Sequence, residues 1–419
     1  ILLLYIYTME ETLTEKRVSY KSTFAACVTA IVNQAVIANI TALLFVSFMQ
    51  LYGFGIWQLG VLVGVNFCAQ LIADVVLTVF IDKCSYRALV LTAVALSSAG
   101  LIVFALFPLL PFVSGSEAVY AVMLAATVLF SFSGGMLEVI ITPITDAIPD
   151  SKSKSGTLAL MHSFYAWGQV LVIAVTSLYI LFVGADKWNF IVLLWALLPI
   201  SSFVLFSVCP INRREGEKGL KQKGKTMFSP YMLIAMLAIF SAGGTEIIMN
   251  QYVSSFATLS LGFDKFTADM AGMCLFAFMM GVGRTVYGVM GDRLNMNVVL
   301  VFGSFSCVVL YLIVGLVPVA WVALAACVLC GLTAALLWPG TLVVASKRFP
   351  SAGAWIFALL AICGDLGASI LPTATGFIAD SINLNAAFVI CAVIPLVNFI
   401  CNVLLFKSDK KSNNLMTRS

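Results

Sequence analysis

Charged side chains are scarce in this sequence: Asp, Glu, Lys and Arg together make up 10% of 419 residues, and there is one histidine. Hydrophobic residues make up 62%, which is more apolar surface than a water-soluble chain of this length can hide. The few charges lie in short clusters between apolar segments, so no stretch remains for a separate soluble domain. These shortages exclude a water-soluble enzyme and predict a protein that crosses the membrane many times. The net charge of +4 comes from loop residues, so it indicates no nucleic-acid partner.

Metal-binding and redox motifs are also missing. The 11 cysteines lie mostly within apolar segments, where a thiol behaves as a small apolar group. Cys327 and Cys330 form a C-x-x-C pair, but no histidine or second cysteine pair lies nearby, which favours packing over metal or redox chemistry. We therefore expect no metal site and no cofactor. Residues 1–8 lack the basic flank and cleavage site of a secretory signal.

Twelve apolar segments follow one another, each long enough for a helix to cross a bilayer, which takes about 20 residues. They cover residues 23–50, 57–80, 88–112, 118–146, 156–183, 189–209, 230–259, 267–291, 297–318, 320–345, 354–379 and 384–406. Hydrophilic residues 213–225 divide them into two groups of six. The sequence predicts an all-α membrane protein with two six-helix bundles, 23–209 and 230–406, joined by a basic linker, 210–229. The tails are residues 1–22 and 407–419.

Basic residues in the predicted loops lie almost entirely on one side of the membrane. Of the 23 lysines and arginines, 20 fall in tails or loops on one side, and only Lys187 and Lys265 fall in loops on the other. By the positive-inside rule the richer side is cytoplasmic. We therefore expect both termini and the linker in the cytoplasm of a plasma-membrane protein that acts as a monomer within the lipid bilayer.

The linker contains a nucleotide-binding pattern in an unsuitable setting. Residues 219–226 match G-x-x-x-x-G-K-[ST], but that loop works between a buried strand and a helix, which a short linker between two membrane helices cannot supply. We expect no nucleotide site, so transport by this chain would be secondary.

The two groups of segments echo each other. Asp74 precedes Asp82 by eight residues, and Arg284 precedes Asp292 by eight residues, at an offset of 210 positions. A glycine eight residues before a proline recurs in the fourth segment of each group. Two parallel repeats of six helices are the arrangement of major facilitator transporters.

Two short motifs at the membrane edge strengthen this interpretation. Gly288-x-x-x-Asp292-Arg293 resembles the G-x-x-x-D-R/K-x-G-R/K-R/K signature of the major facilitator superfamily, and the first-half copy has Thr78 and Ser85 where glycines are expected. The resemblance covers residues 21–406 and implies that fold. For Asp74 direct substrate contact remains the alternative to gating. The residues that we assign to gating are Asp74, Asp82, Lys83, Arg87, Arg284, Gly288, Asp292 and Arg293.

The fourth segment resembles a narrower group. Gly135-x-x-Glu138, followed by Thr142-Pro143, is similar to the G-x-L-E-x-x-x-N-P pattern of the fucose permease group of proton-coupled sugar transporters, with threonine replacing asparagine. The resemblance implies a proton-binding role for Glu138. Those permeases also carry an acidic residue on helix 1, whereas the first segment here has only amides. We assign these amides and the threonine to the substrate cavity: Asn33, Gln34, Asn39 and Thr142.

Two further acidic residues lie deep within apolar segments. A carboxylate there costs several kcal/mol unless it is protonated, paired or in a water-filled cavity. Glu246 shares a helical face with Asn250 and Ser254, and Asp365 shares one with Ser369 and Thr373. These two polar stripes predict a wet central cavity; a structural hydrogen bond between helices is the alternative for each acid. Proton coupling is assigned to Glu138, Glu246 and Asp365, and cavity lining to Glu246, Asn250 and Ser369.

The fifth segment carries the one histidine. His162, Tyr165 and Gln169 share a helical face, and the histidine is either a proton relay or substrate contact, or a hydrogen-bonded residue between helices. Trp338 is either a platform for a sugar ring or ordinary packing. All four residues complete the predicted cavity.

Three functions are compatible with these sequence features. Buried carboxylates and the fucose-permease resemblance favour a proton-coupled importer of a small polar, sugar-like solute. An exporter of amphipathic compounds shares the fold but would be expected to have a more aromatic and apolar pocket. A sensor without transport activity would be expected to carry a large soluble domain, and none fits here.

Overall fold

A computed structural model of the chain describes residues 20–80, 84–111, 113, 115–148, 154–211, 229–290, 295–349 and 354–416. Within these ranges the chain forms helices and no strand. Among the described residues, twelve helices are long and apolar enough to cross a membrane, which confirms the predicted number. They are α1 Lys21–Tyr52, α2 Ile56–Phe80, α3 Tyr86–Leu106, α4 Ser116–Asp146, α5 Lys154–Val183, α6 Trp188–Val208, α7 Pro230–Leu259, α8 with its main part Leu275–Met290, α9 Met296–Leu316, α10 Ala320–Ala334 with Leu337–Arg348, α11 Ala354–Ser381, and α12 Leu384–Cys391 with Val393–Met416.

Proline explains why α10 and α12 are each built in two parts. A proline ring inside a helix clashes with the carbonyl four residues earlier and lacks an N–H to donate. Pro339 stands four residues after Ala335, and α10 is interrupted just after Ala334. Pro395 stands four residues after Cys391, where the first part of α12 ends. The second part of α12 continues to Met416, ten residues beyond the predicted end at residue 406.

The internal repeat is visible in the packing. In the first half, α1 packs against α4, α5 and α6, α3 packs against α4 and α6, and α2 packs against α4. In the second half, α7 packs against α10, α11 and α12, α9 packs against α10 and α12, and α8 packs against α10. Each pair in one half therefore has its counterpart six helices later. This arrangement confirms the two pseudo-symmetric bundles.

The halves meet along three seams: α2 with α11, α5 with α8, and α1 with α7. In the repeat α2 corresponds to α8 and α5 corresponds to α11. The α2–α11 seam and the α5–α8 seam are therefore symmetry-related. Gly60 and Gly376 allow a close approach of α2 to α11, since a Cβ on Gly376 would lie 2.8 Å from the Gly60 Cα. The bundle surface is apolar, with side chains such as Phe182 exposed to 81% and Val208 to 76%, which suits contact with lipid.

The bundle has two ends. The end at which α1 stops, at the left-handed Gly53 (φ 72°), is called the outer end, because the sequence predicts it outside the cell. The end at which α1 and α7 begin is called the inner end.

Candidate functional site

Glu138 lies between the halves and is exposed to solvent. Its Oε2 accepts a hydrogen bond of 3.1 Å from the Gln34 side-chain amide of α1. It lies eight residues before the end of α4 at Asp146, which is about 12 Å of helix rise. Tyr165 of α5 lies close enough to Glu138 for electrostatic interaction, so the carboxyl faces other helices of the bundle. An accessible space therefore reaches this carboxyl in the interior of the molecule.

Two more carboxyl groups lie beside Glu138. Asp74 of α2 and Asp365 of α11 lie within hydrogen-bonding reach of each other, and both interact electrostatically with Glu138. Both are buried, with 8% and 5% of their surfaces exposed. Asp74 belongs to the first half and Asp365 to the second. The structure thus brings an assigned gating residue and two assigned coupling residues into one cluster, the carboxyl cluster, made of Asp74, Glu138 and Asp365.

Gly135 is what allows α4 to approach α2 at this cluster. It precedes Glu138 by three residues, so the two share a helix face. A Cβ at Gly135 would lie 2.3 Å from the Gln70 carbonyl oxygen and 2.9 Å from Asp74 Oδ1. The glycine of the sequence motif therefore brings the Asp74 and Glu138 carboxyl groups together.

Glu246 forms an ion pair. The Arg284 Nη2 of α8 lies 2.9 Å from Glu246 Oε1 and 3.0 Å from Oε2, and the arginine Nε donates to the Ala335 carbonyl. Side-chain exposure is 22% for the arginine and 11% for the glutamate. Tyr165 lies near enough to both partners for electrostatic interaction. Arg284, assigned to gating from the sequence, therefore contacts a proposed substrate residue.

An amide cluster joins the halves between α1, α5 and α7. Asn39 Oδ1 accepts hydrogen bonds from the Asn250 amide at 3.1 Å and from the Gln169 amide at 3.4 Å. Asn250 Oδ1 and Gln169 Oε1 are buried and accept no hydrogen bond from the described residues. Three residues assigned to the cavity are thus brought together, with two acceptor oxygens available.

The other residues assigned to the substrate cavity lie outside the amide cluster. Asn33 is fully buried and donates to Ser97 of α3, so it joins two helices of the first half. Trp338 packs against Gly364 and Gly243, where a Cβ at Gly364 would come within 2.3 Å of its ring. Ser369 donates to the Gly64 carbonyl at 2.8 Å, on the α2–α11 seam. The half-buried Thr142 makes none of these contacts.

Arg87 caps a helix. Its guanidinium donates to the carbonyl groups of Phe206, Ser207 and Cys209, at 2.7, 2.7 and 2.8 Å. These carbonyls stand at the end of α6, where no further turn satisfies them. Arg87 therefore ties α3 to α6 within the first half.

Several assigned residues fall outside what the structure describes. Asp82, Lys83, Asp292 and Arg293 lie outside the described ranges, as do residues 1–8 and 213–225. His162 and Gly288 lie in α5 and α8, but their surroundings are outside the description. The roles assigned to these residues stay predictions.

Sequence reasoning missed Asp269. This aspartate is 2% exposed and bonds Ser177 across the α5–α8 seam at 2.9 Å. Asp269 lies only two residues inside the predicted eighth segment, so its sequence position is that of an ordinary charged residue at a loop. The i, i+4 pair that it forms with Lys265 was the available signal.

Comparisons with known proteins agree with this architecture. The family model described as Major Facilitator Superfamily matches residues 24–356. No relative was found among curated proteins. The structure of a variant of the E. coli fucose:proton symporter FucP shares 19% identity with this chain, at a TM-score of 0.61, over 92% of this chain and 99% of that one.

Two other solved structures are similar in fold. The E. coli xylose transporter XylE, in a partially occluded inward open conformation, has a TM-score of 0.73 at 13% identity, over 92% of this chain and 97% of that one. A bacterial homolog of the human lysosomal transporter Spinster has a TM-score of 0.75 at 11% identity, over 92% and 96%. The chain is a multi-pass membrane protein that belongs to the major facilitator superfamily of transporters.

Proposed function

We propose that this protein is a proton-coupled symporter that moves a small, neutral, sugar-like solute across the plasma membrane by alternating access. The observation that carries the proposal is the carboxyl cluster, in which the solvent-exposed Glu138 lies beside Asp74 and Asp365. The proposal includes the predicted orientation, with both termini in the cytoplasm.

The chemistry of the cluster favours bound protons. A carboxylate has no hydrogen to donate, so two carboxyl groups at hydrogen-bonding distance are stable only when one of them is protonated. Asp74 and Asp365 are so placed and come from opposite halves. Movement of the halves changes this contact, and therefore changes how tightly the cluster binds a proton. That dependence is what coupling requires.

Glu138 is the member of the cluster that can exchange protons with water in this state, because it alone is exposed. Its resemblance to the helix 4 glutamate of fucose permeases supports the same role. Asp74 and Asp365 form the buried partner pair. Asp74 thus takes a part in coupling in this proposal, in addition to its assigned place near the gate.

Glu246 serves a different purpose. Glu246 and Arg284 form an ion pair, so together the two side chains carry no net charge. Neither therefore needs to gain or lose a proton to lie within the membrane. Such a pair offers both donors and acceptors to a neutral solute. We therefore assign Glu246 and Arg284 to substrate binding, with Tyr165 beside them.

The amide cluster favours a polyol as the solute. Asn250 Oδ1 and Gln169 Oε1 are unused acceptors, and a sugar hydroxyl is a donor that would satisfy them. Two solved structures of similar fold support this class of solute. One is the proton:xylose symporter XylE bound to 6-bromo-6-deoxy-D-glucose, and the other is the fucose:proton symporter. An exporter of amphipathic compounds is not favoured, because amide groups join α1 to α7 and carboxyl groups meet between α2 and α11.

Reconstituted protein tests the proposal in two steps. Thermal unfolding of the purified protein against neutral sugars, sugar alcohols, sugar acids and hydrophobic cations identifies the solute, since a ligand that binds the folded state raises the Tm. The solute found is then added outside proteoliposomes without a pH gradient, while external pH is recorded. Symport predicts alkalinisation of the external medium as protons enter with the solute. Uptake without proton movement, or with acidification, would contradict it.

A further inference from the structure

Asp269 forms a polar cluster at the outer end of the α5–α8 seam. Its Oδ2 accepts a hydrogen bond of 2.9 Å from the Ser177 hydroxyl of α5. Its Oδ1 accepts from the Ser254 hydroxyl of α7 and from the Lys265 ammonium. The same ammonium also donates to Ser254 Oγ at 3.1 Å. The carboxylate therefore bridges the first half, through α5, and two helices of the second half.

The cluster lies close to the outer surface on every helix that contributes to it. Ser177 is six residues from the end of α5 at Val183, and Ser254 is five residues from the end of α7 at Leu259. These separations correspond to about 9 Å and 8 Å of helix rise. Asp264 accepts hydrogen bonds from the Thr267 hydroxyl and backbone N–H, which lower the pKa of the Asp264 carboxyl. That cap fixes the start of α8 next to the cluster.

A π-helical turn, Ala268–Cys274, presents this part of α8 to α5. Asp269 and Cys274 are five residues apart, which would place them about 140° apart around an α-helix. A π-turn closes its hydrogen bonds over five residues instead of four, so such a pair comes nearer to one face. Both residues contact α5: Asp269 bonds Ser177, and the Cys274 thiol lies 3.9 Å from the Val170 carbonyl oxygen.

The charge of Asp269 is balanced within its own half. Lys265 supplies the positive charge, and Ser254 supplies a hydroxyl donor. The first half contributes one hydroxyl, from Ser177. If the halves separated here, the ion pair would remain and only one hydrogen bond would be lost, with water able to replace it. An ion pair that spanned the halves would instead leave a buried carboxylate unpaired.

We propose that Asp269 is the outer gate of this transporter, with Ser177 as the contact that is made and broken in each cycle. Asp269 stays paired with Lys265 in both states, and its bond to Ser177 stabilises the state in which the outer end is closed. This role follows from alternating access alone, so it does not depend on which solute or ion is carried.

Hydrogen–deuterium exchange of the purified full-length protein tests the gate. Ser177→Ala removes the hydroxyl without adding volume. A hydrogen bond to a charged group stabilises by enough to change an equilibrium about tenfold when it is lost. We expect Ser177→Ala to favour the outward-open state by about that factor, so that peptides at the outer ends of α5 and α8 exchange faster and peptides at their inner ends exchange more slowly.

Ser254→Ala is the matched control, because it removes a hydroxyl that contacts the same carboxylate from within the second half. It should leave the balance between the two ends unchanged. The gate is refuted if Ser177→Ala leaves exchange at both ends as in the wild type. It is also refuted if exchange rises at the outer end without the reciprocal fall, which indicates local packing, or if Ser254→Ala gives the same shift.

Discussion

Arg284 Nη2 donates to both carboxylate oxygens of Glu246, at 2.9 and 3.0 Å. The arginine comes from α8 and the glutamate from α7, and neither side chain is fully exposed. This pairing explains how two charges of opposite sign are tolerated in adjacent membrane helices. Because the charge of Glu246 already has a partner, we propose for it a role different from that of the carboxyl cluster.

Removal of one partner should therefore be more harmful than removal of both. Arg284→Met leaves Glu246 unpaired and should lower the free energy of unfolding by about 2 kcal/mol, below the range for a fully buried pair because the arginine is partly exposed. The double variant Arg284→Met/Glu246→Met should recover most of that loss without recovering transport. Thermal unfolding measures the first effect and solute uptake the second.

Lys187→Met, at an exposed position beyond the end of α5, is the control for loss of a positive charge. It should leave the Tm unchanged. If Arg284→Met proves as stable as Lys187→Met, the ion pair contributes nothing to stability and this interpretation is wrong.

Gly135→Ala should disturb the carboxyl cluster through the backbone. The added methyl would lie 2.3 Å from the Gln70 carbonyl oxygen, so α4 must move away from α2. Overpacking of this kind costs about 1–3 kcal/mol, and proton-driven uptake should fall with it. Gly281→Ala is a matched control, since its Cβ would meet nothing closer than 3.5 Å. Equal Tm values for the two variants would contradict the close approach of α4 to α2.

Asn39→Ala and Asn33→Ala form a matched pair on one helix. Asn39 accepts hydrogen bonds from two amide groups, that of Asn250 in the other half and that of Gln169 in its own half, whereas Asn33 bonds Ser97 within the first half. We expect Asn39→Ala to weaken solute binding by about tenfold, the effect of one or two lost hydrogen bonds. Asn33→Ala should lower stability and leave affinity unchanged. Binding titrations at one temperature measure the solute affinity of both variants. A loss of affinity in Asn33→Ala alone would mean that Asn33, and not Asn39, supports solute binding.

Orientation is tested by thiol labelling of intact cells. A cysteine that replaces Gln222 in the linker should not react with a membrane-impermeant reagent added outside, because the positive-inside rule places that segment in the cytoplasm. A cysteine at Lys187 should react. Labelling at residue 222 alone would mean that the chain is inserted the other way round.

The twelve helices could be predicted because the length of an apolar segment is a local property, and the six-plus-six repeat because its motifs recur in the sequence itself. The sequence also predicted both polar stripes correctly as helix faces. Glu246, Asn250 and Ser254 all lie on the side of α7 that meets α8 and α1. Ser369 and Thr373 donate to backbone carbonyl groups of α2. The α11 stripe therefore lies on the α2–α11 seam, whereas in the α7 stripe Asn250 crosses to the first half and the other two residues contact α8.

Partners across the seams could not be predicted from the sequence. Asp74 and Asp365 are 291 positions apart, and nothing local indicates that α2 lies against α11. Arg284 is predicted to lie near the gate because it corresponds to Asp74 in the second repeat. Its partner Glu246 is instead determined by the packing of α7 on α8. The breaks in α10 and α12 are not part of the prediction, although each follows from a proline within its segment.

Proton-driven accumulation by Glu138→Gln tests the central claim most directly. The amide mimics a protonated carboxyl, so solute binding and exchange across proteoliposomes should persist while uphill uptake driven by a pH gradient is lost. Glu117→Gln, at an exposed glutamate in the first turn of α4, should accumulate solute as the wild type does. If Glu138→Gln still accumulates solute against its gradient, Glu138 is not the coupling group and the account of the carboxyl cluster is wrong.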